Sequence, residues 1–401
     1  MYRAHTIALD PTNVQATMFA RTVGTARFAY NWALARWNEI YQVSLADPQS
    51  PKPNRFVLNK ELNAIKRTAF PWMLDVSKCA SETAITDLDT AFQNFFAKRA
   101  RYPTFKHKGV QDSARITVGN FSIDGRRIRL PKIGWVRMRE ELRWPDAKLV
   151  SVTVRRHRGR WFAAVCCELP DPVPSARPVT TVGVDVGTRE FVDSDGGRYP
   201  LPRPYWRATR HLRRAQQSVS RKKKGSKNQA KAQEKVNRVH GRVADIRSDW
   251  LHQTTRKLVD EFSLIGVEDL NVKGMAQSHY RALSVLDVGM YEFRRQLEYK
   301  APVVGSTVVA ADRLFPSTRM CSRCGEVRTK PLPTSVRRWT CAECGTAHDR
   351  GANAAVNLKN NAVGSTVSAC GEFFASAGPG GSPGSASSLC EAGTRRMART
   401  P

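Results

Sequence analysis

Two pairs of cysteines near the end of the chain limit most strongly what this sequence can form. The pairs Cys321 with Cys324 and Cys341 with Cys344 are CxxC motifs separated by sixteen residues, and a glycine directly follows each. A tetrahedral Zn²⁺ ion takes four thiolate ligands, and each CxxC turn presents two sulfur atoms to one ion. The spacing predicts a structural zinc knuckle over residues 321–345 rather than two disulfides or four idle thiols.

The charge of the chain limits its partners. Lys and Arg number 65 against 35 Asp and Glu, which gives a formal net charge of +30. This excess predicts a polyanionic partner, and nucleic acid is favoured over a membrane because no long apolar span is found. A merely solvated basic surface is the alternative. No secretion signal indicates an oxidising compartment, so we expect reduced thiols and a cytoplasmic protein.

The first half of the chain shows helical and then strand signals. Residues 1–10 alternate as a first strand, and apolar residues at helical spacing predict a helical domain over 11–108. Tight-turn and period-two patterns then predict a small antiparallel sheet or barrel over 109–176, completed by the N-terminal strand. A Pro-rich stretch predicts a domain boundary near residue 176.

Acidic residues on apolar strands indicate a metal-dependent site in the second half. The strand Val182-Gly-Val-Asp-Val186 carries Asp185, whose charge is costly to bury unless it is paired or binds a metal. A functional role is therefore favoured over a capping role. A second apolar strand runs into Glu268, and Asp349 follows the cysteine pairs. Such carboxylates suit a two-metal phosphodiesterase that uses Mg²⁺.

A strongly basic segment lies between these two strands. Residues 206–250 hold fourteen Lys and Arg against three acidic residues. Apolar residues repeat at alternate spacings of three and four, as in a coiled-coil seam: Val236, Val239, Val243, Ile246 and Trp250. The pattern predicts a helical hairpin hinged around residues 224–226, with an outer track of cations for phosphates. A solvated helix is the alternative.

Residues 361–401, rich in Gly, Ser, Ala and Pro, are predicted to be disordered.

Several separated motifs occur in the order found in one known family. They are Arg27-Phe-Ala-Tyr-Asn31, Arg99-Ala-Arg-Tyr-Pro-Thr-Phe105, Gly183-Val-Asp-Val-Gly187, Val267-Glu-Asp-Leu-Asn-Val-Lys-Gly-Met275, the double CxxC, and Asp349-Arg350 followed by Asn353-Ala-Ala355. Together they resemble the TnpB proteins of bacterial insertion sequences and the compact type V CRISPR effectors similar to them. The resemblance covers roughly residues 1–360, and it leaves open whether the gene lies beside a CRISPR array or in a mobile element.

The resemblance implies a multidomain α+β protein. Its parts would be a helical recognition lobe, a wedge β-barrel, a RuvC-type RNase H fold and an inserted zinc knuckle. The corresponding ranges are 11–108 for the lobe, 1–10 with 109–176 for the barrel, 177–320 for the nuclease with its basic hairpin 206–250, 321–345 for the knuckle, and 346–360 for the last nuclease motif.

The resemblance also implies an RNA-guided activity. A guide RNA with a structured scaffold would direct cleavage of double-stranded DNA next to a short duplex motif. Asp185 and Glu268 match the first two Mg²⁺-binding catalytic acids, and the four cysteines match the zinc ligands. We expect one monomer per RNA, with a dimer as the alternative, in the bacterial cytoplasm and associated with the nucleoid.

One position departs from the family pattern. In most TnpB proteins the third catalytic Asp stands two residues before the motif Asn, and here Gly351 occupies that position. We expect Asp349 to replace it in a Mg²⁺-dependent RNA-guided DNA endonuclease. The alternative is a cleavage-deficient RNA-guided DNA-binding protein that acts as a repressor. A direct transposase is disfavoured, because DDE transposases place Glu last among their acidic residues.

Overall fold

The computed structural model of this chain describes residues 1–47, 49–110, 112–172, 178–278, 282–333 and 335–375. The chain divides into two compact units. The first comprises Met1–Val173 and Pro204–Asp245, and the second comprises Pro174–Arg203 and Ile246–Pro401. The predicted boundary near residue 176 lies outside the described residues.

The first unit contains a seven-stranded antiparallel sheet. Its strands pair in the order β2-β6-β7-β1-β5-β4-β3, so the N-terminal strand lies at its centre. Pairing in the described residues leaves β2 and β3 as the two edge strands, because the three-residue β3 pairs with β4 alone. The predicted antiparallel sheet is therefore present, and its closure into a barrel stays a prediction. The strands are β1 Tyr2–Asp10, β2 Ser113–Thr117, β3 Ser122–Asp124, β4 Arg127–Leu130, β5 Gly134–Met138, β6 Lys148–His157 and β7 Arg160–Glu168.

Helices pack against this sheet. They are α1 Asn13–Ala46, α2 Arg55–Ile65, a 3-10 turn Pro71–Asp75 and α3 Cys79–Phe96. A capping box begins α1, since the Thr12 hydroxyl accepts from the Gln15 amide and the Gln15 side chain accepts from the Thr12 amide. Trp37 stacks on Phe92 at 4.1 Å between ring centroids. These aromatic rings therefore belong to the core.

The first N-terminal family motif contacts the residues that follow the second one. Asn31 of α1 exchanges two hydrogen bonds with the Lys106 backbone, at 2.7 and 3.0 Å. Arg27, one helical turn earlier, forms an ion pair of 2.7 Å with Asp112, and the Lys106 ammonium lies 3.9 Å from the centre of the Tyr30 ring. Side chains of α1 therefore fix the course of the basic loop after α3.

The basic segment belongs to both units. It forms α4, Pro204–Ser220, and α5, Lys227–Glu261, with Gly225 at φ +79° in the turn between them. Residues 206–250 were predicted to lie in the nuclease domain, but those up to Asp245 pack with the first unit. The reason lies at the β6–β7 turn, where the Arg158 guanidinium donates to the Gly241 carbonyl at 2.7 Å and pairs with Asp245 at 2.6 Å.

The second unit contains a mixed five-stranded sheet. Its order is β10-β9-β8-β11-β12, in which β8, β11 and β12 run parallel and β9 and β10 form an antiparallel hairpin. A separate two-stranded ribbon joins β13 and β14. The strands are β8 Thr181–Val186, β9 Glu190–Asp193, β10 Arg198–Pro200, β11 Leu264–Glu268, β12 Thr307–Ala311, β13 Arg338–Thr340 and β14 Ala347–Asp349.

The last helix lies directly on the centre of this sheet. The helices after α5 are α6 Val272–Met275, α7 Ala282–Val288, α8 Met290–Val304 and α9 Arg350–Ala375. A Cβ atom built on Gly183 of β8 would lie 2.0 Å from the Ala355 carbonyl oxygen, and one on Gly266 of β11 would lie 2.4 Å from that of Leu358. Both strands therefore need glycine where the backbone of α9 approaches.

The prediction that disorder begins at residue 361 was wrong for the first fifteen residues of that segment. Helix α9 continues to Ala375, and Ala362 on its inner face is fully buried. Small residues gave no apolar period in the sequence, yet their size allows the close packing described above. Residues 376–401 lie outside the described part of the chain. Among the described residues, no helix is long and apolar enough to cross a membrane.

We predict that Gly183→Ala destabilises the second unit. The new Cβ would lie 2.0 Å from the Ala355 carbonyl oxygen and 2.4 Å from the Lys359 amide nitrogen, so α9 would have to move off the sheet. The expected loss in free energy of unfolding is about 3 kcal/mol, measured by urea denaturation. Gly364→Ala is the control, because its new Cβ would meet nothing within 4 Å apart from its chain neighbours and its own helix backbone. It should be neutral or stabilising by about 1 kcal/mol. Equal stability of Gly183→Ala and the wild type would contradict this account.

Candidate active site and metal centre

Asp185 is a half-buried carboxyl in β8, flanked by two buried valines. Its pKa is raised to about 7, first by burial and then by repulsion from the Glu268 carboxylate. Arg350 and Arg337 oppose this rise, and Asp349 adds to it. A carboxyl that holds a proton near neutrality has little compensation for its negative charge, which is the condition expected where a cation binds.

Glu268 is the last residue of β11, the strand that pairs with β8, and it lies level with Asp185 along the two strands. Gly266 pairs with Gly183 in the parallel register of β11 and β8, and Glu268 and Asp185 each follow two residues later. Both carboxylates therefore lie at the carboxyl end of the parallel strands, as the strand pattern indicates. This end of the sheet is called the acidic edge below. The Ser317 hydroxyl donates a hydrogen bond to Glu268. The next residue, Asp269, pairs with Arg294 and Arg313 instead.

Asp349 ends β14 and begins α9. Its Oδ1 accepts a hydrogen bond of 3.1 Å from the Ala352 amide, so its side chain caps the helix. Its Oδ2 lies 3.4 Å from the Arg198 guanidinium on β10. Arg198 also pairs with Glu190 at 2.6 Å, and these two carboxylates raise its pKa. The Asp349 carboxylate is therefore paired with a cationic side chain of the same protein, Arg198.

Gly351 stands between the two aspartates. A Cβ atom at this position would lie 3.3 Å from Oδ2 of Asp185, 3.5 Å from Oδ1 of Asp349 and 3.2 Å from a methyl of Val192. The carboxylate of Asp349 thus lies close to the space that a side chain at residue 351 would enter. The substituted position therefore lies between the carboxyl groups of Asp185 and Asp349.

The structure thus brings Asp185, Glu268 and Asp349 to one end of the sheet. Carboxylate oxygens are the ligands that Mg²⁺ prefers, so the chemistry of the donor set fits this ion. The spacing is looser than that of a tight cluster. Within the described residues, the four cysteines are the group of Cys, His, Asp or Glu whose ligand atoms all lie within 4.8 Å.

The four cysteines have the geometry of a zinc site. The Sγ atoms of Cys321 and Cys344 are 3.6 Å apart, and those of Cys324 and Cys341 are 3.7 Å apart. A tetrahedron with zinc–sulfur bonds of about 2.3 Å has sulfur–sulfur edges of about 3.8 Å. The glycines after the two pairs adopt φ +80° and +67°, which only glycine takes readily. The thiolates therefore fit one Zn²⁺ ion with all four positions filled.

Asparagines of α9 connect this knuckle to the helix. The Asn353 side chain accepts from the Ser322 amide at 2.9 Å and donates to the Met320 carbonyl at 2.7 Å. Asn357, one turn later and almost fully buried, donates to the carbonyls of Ser317 and Met320 at 2.8 and 2.7 Å. The Asn of the last sequence motif is therefore a support for the first cysteine pair.

Two further side chains touch the cysteines. The Nε2 atom of His348 lies 3.1 Å from the Cys321 sulfur, and burial lowers the pKa of His348. The Thr346 hydroxyl lies 3.3 Å from the Cys344 sulfur. Hydrogen bonds from the Thr346 hydroxyl and amide lower the pKa of Cys344 to about 6, which favours the thiolate that binds a metal.

Sequence reasoning missed the residues that support the site. They are Arg198, Ser317, His348, Asn353 and Asn357. All five act across gaps in the sequence of 27 residues or more, which no local pattern reveals. Two amide side chains four residues apart on an otherwise apolar helix face were the one available signal, because a buried amide needs hydrogen-bond partners.

Comparison with known protein families agrees with this arrangement. Residues 1–44 match a model described as "Helix-turn-helix domain" of the IS605 OrfB proteins. Residues 164–279 match the IS605 OrfB model described as "Probable transposase". Residues 291–358, which include the cysteines, match the "Cas12f1-like, TNB domain".

Full-length relatives extend these matches. The chain is 38% identical to a Streptomyces pristinaespiralis protein named "Putative RNA-guided DNA endonuclease", covering 92% of this chain and 91% of that one. It is 32% identical to the Escherichia coli K12 protein InsQ, which carries the same description, over 94% and 96% of the two chains. Among solved structures, the Cas12f1 chain of a complex with sgRNA and target DNA is similar at TM-score 0.51 and 13% identity, covering 87% and 83%.

The fold and the site thus define the class of protein. It is a mixed α/β protein with a Cas12f-like fold, and a cysteine knuckle lies beside the acidic end of its parallel strands. The chain belongs to the TnpB family, the OrfB proteins of IS605-type insertion sequences. The resemblance recognised in the sequence motifs is confirmed.

We predict about one zinc per chain in freshly purified, reduced protein. A site with four thiolates has no open position for water, so the ion is structural. Replacing Cys341 and Cys344 by serine should release the metal and unfold the β13–β14 ribbon. Cys166→Ser, in β7 of the first unit, should keep its zinc and serves as control. Elemental analysis measures both variants, and zinc-free wild-type protein would contradict the assignment.

We predict that stability falls as pH rises from about 4 to about 7 in protein without added Mg²⁺. The pKa of Asp185 rises from 3.8 to about 7 on folding, so the folded state binds more protons than the unfolded state in this window. Asp185→Asn should remove this dependence and raise the free energy of unfolding at pH 8 by at most about 4 kcal/mol. Denaturation at a series of pH values measures the effect.

Asp269→Asn is the control for that experiment. Hydrogen bonding to Arg294 lowers the pKa of Asp269, so its contribution to stability has the opposite sign. It is present at neutral pH and is lost as pH falls through the lowered pKa. If Asp185→Asn changed the pH profile in the same direction as Asp269→Asn, the raised pKa of Asp185 would be refuted.

Proposed function

We propose that this protein is an RNA-guided DNA endonuclease. The observation that supports this most directly is the position of three carboxyl groups, those of Asp185, Glu268 and Asp349. They lie at the carboxyl end of the parallel strands, beside the helix that follows the cysteine knuckle. Relatives that match over nine-tenths of the chain carry this activity in their names. A direct role as transposase has no comparable support from the site.

The second unit is proposed to be a RuvC-type nuclease of the RNase H fold. The support is its sheet, in which an antiparallel hairpin precedes parallel strands and a helix covers the centre. Asp185 and Glu268 would hold Mg²⁺ with Asp349 as the third ligand. Bound Mg²⁺ would supply an activated water and stabilise the leaving oxygen of a cleaved phosphodiester.

The residues of this chain have distinct parts in that proposal. Ser317 orients Glu268 by its hydrogen bond, and the helix cap orients Asp349 through the Ala352 amide. The raised pKa of Asp185 means that a divalent cation must displace a proton there below about pH 7. Metal binding, and with it cleavage, should therefore weaken as the pH falls below neutrality.

Guide RNA and target DNA are the proposed partners. The net charge of +30 disfavours an isolated chain and is offset by bound phosphates. Exposed cations follow one another along α4, the turn and the start of α5, as expected for a track along a nucleic-acid backbone. They are Arg207, Arg210, Arg213, Arg214, Arg221, Lys222, Lys223, Lys224, Lys227 and Lys231. The first unit, with its anchored basic loop, would hold the RNA scaffold and the duplex motif.

A cleavage-deficient RNA-guided DNA-binding protein is the second candidate. It is favoured by the two interactions that already engage Asp349, namely the ion pair with Arg198 and the helix cap at Ala352. A ligand that must leave such partners, or that stands an ångström out of place, can cost about a hundredfold in rate. In that case the protein would bind its target and act as a repressor or roadblock.

We predict that Asp349→Ala abolishes Mg²⁺-dependent cleavage as completely as Asp185→Ala or Glu268→Ala. The loss should be at least about a hundredfold, because each variant removes a proposed metal ligand. Guide-dependent binding of target DNA should persist in all three. Asp269→Asn is the matched control, since this neighbour of Glu268 pairs with two arginines outside the site. Cleavage by a purified complex and binding by gel shift are the two measurements.

Gly351→Asp separates the two candidate functions. Residue 351 is the position at which the family pattern contains an acid. The Cβ atom of the new side chain would lie 3.3 Å from Oδ2 of Asp185. If the wild type binds its target but cuts in neither Mg²⁺ nor Mn²⁺, while Gly351→Asp cuts, the endonuclease proposal is wrong and the DNA-binding function takes its place. Cleavage by the wild type that depends on Asp349 supports the endonuclease.

We predict that the protein purifies with one specific RNA of about a hundred nucleotides or more, held by the charge excess. Sequencing of the bound RNA tests this, and high salt should release it, because each neutralised phosphate adds to the salt dependence. Changing the guide segment of that RNA should redirect binding to a new DNA sequence. A mixture that matches total cellular RNA would count against guided recognition.

A further inference from the structure

His348 makes a contact that the four-cysteine site does not require. Its Nε2 atom lies 3.1 Å from the sulfur of Cys321, and Cys321 is almost fully buried. Four thiolates around one Zn²⁺ leave a net charge of about −2, since each sulfur carries one negative charge. N–H donors that point at the sulfurs offset this charge and orient the ligands. The position of His348 is that of such a donor.

Packing fixes the orientation of this imidazole. His348 of β14 pairs with Trp339 of β13, and their rings lie 4.8 Å apart at 35°. Trp339 is itself buried, and the Arg328 guanidinium lies 5.4 Å from the centre of its ring. The stack holds the ring with Nε2 towards the sulfur.

The geometry does not favour His348 as a direct zinc ligand. The sulfur–sulfur distances of 3.6 and 3.7 Å are those of a filled tetrahedron. A nitrogen ligand would have to replace one of the four sulfurs, and all four Sγ atoms lie within 4.8 Å of one another. The imidazole therefore approaches the sulfur itself.

We propose that His348 belongs to the metal centre as an outer partner, donating its Nε2–H to the Cys321 thiolate and tying β14 to the first cysteine pair. This inference does not depend on the proposed nuclease function.

Two variants separate the donor from the ring. His348→Phe keeps a ring against Trp339 and removes the N–H. His348→Gln removes the ring and places an amide N–H near the position of Nε2. Both are made in the full-length chain and loaded with Zn²⁺ or with Co²⁺, whose sulfur-to-metal absorption bands report the electron density on the thiolates. Competition with a chromophoric chelator gives the zinc affinity.

Loss of the donor should change the metal centre in a defined way. In His348→Phe the sulfur-to-cobalt bands should move to longer wavelength, and zinc affinity should fall by about 10- to 100-fold, as for other outer partners of metal ligands. In His348→Gln the bands should stay near those of the wild type. Unchanged bands and affinity in His348→Phe would overturn the proposal. A wild-type cobalt spectrum of three sulfurs and one nitrogen would also overturn it, because His348 would then be a ligand.

A measurement on the wild type covers the case in which His348→Phe fails to fold. With ¹⁵N-labelled histidine and ¹¹³Cd in the site, Nε2 of His348 should carry a slowly exchanging proton that couples to the metal through the sulfur. A proton on Nδ1 alone, or no coupling at Nε2, would refute the hydrogen bond. Activity is not needed for this readout, so failure of the nuclease proposal and failure of this inference are distinguishable.

Discussion

Backbone contact between α9 and the sheet is the constraint on which the candidate site depends. Gly183 and Gly266 leave no Cβ between the helix and the strands, and the two carboxylates of the strands follow two residues beyond these glycines. The start of α9 is thereby held beside both of them. On its other side, Asn353 and Asn357 bind the backbone before and within the first cysteine pair. One helix therefore connects the acidic edge and the knuckle.

The parts of the site that the sequence predicted are those whose cause is local. Cysteine spacing fixes the knuckle because each pair forms its own turn, and the glycines after them take the left-handed conformation there. A carboxylate within an apolar strand stands out by its cost of burial, which identified Asp185. Glu268 was predicted at the end of a second apolar strand, and the structure adds that this strand pairs in parallel with β8, with Gly266 opposite Gly183.

The rest depends on contacts between distant segments. The first part of α5 groups with the first unit, and contacts such as that of Arg158 with Gly241 leave no trace in charge or periodicity. The length of α9 was underestimated because Ala and Gly suggest disorder by composition, although small size is what a helix against a glycine-bearing sheet requires. The closeness of residue 351 to Asp185 likewise appears only once α9 lies on β8.

The pair between Arg198 and Asp349 has a consequence for how the acidic edge handles cations. A guanidinium already neutralises part of this carboxylate, so a divalent ion that bound Asp349 would have to compete with Arg198. Arg198 also has Glu190 at 2.6 Å as a second counter-ion. The β9–β10 hairpin thus supplies a cation to the acidic group from within the chain.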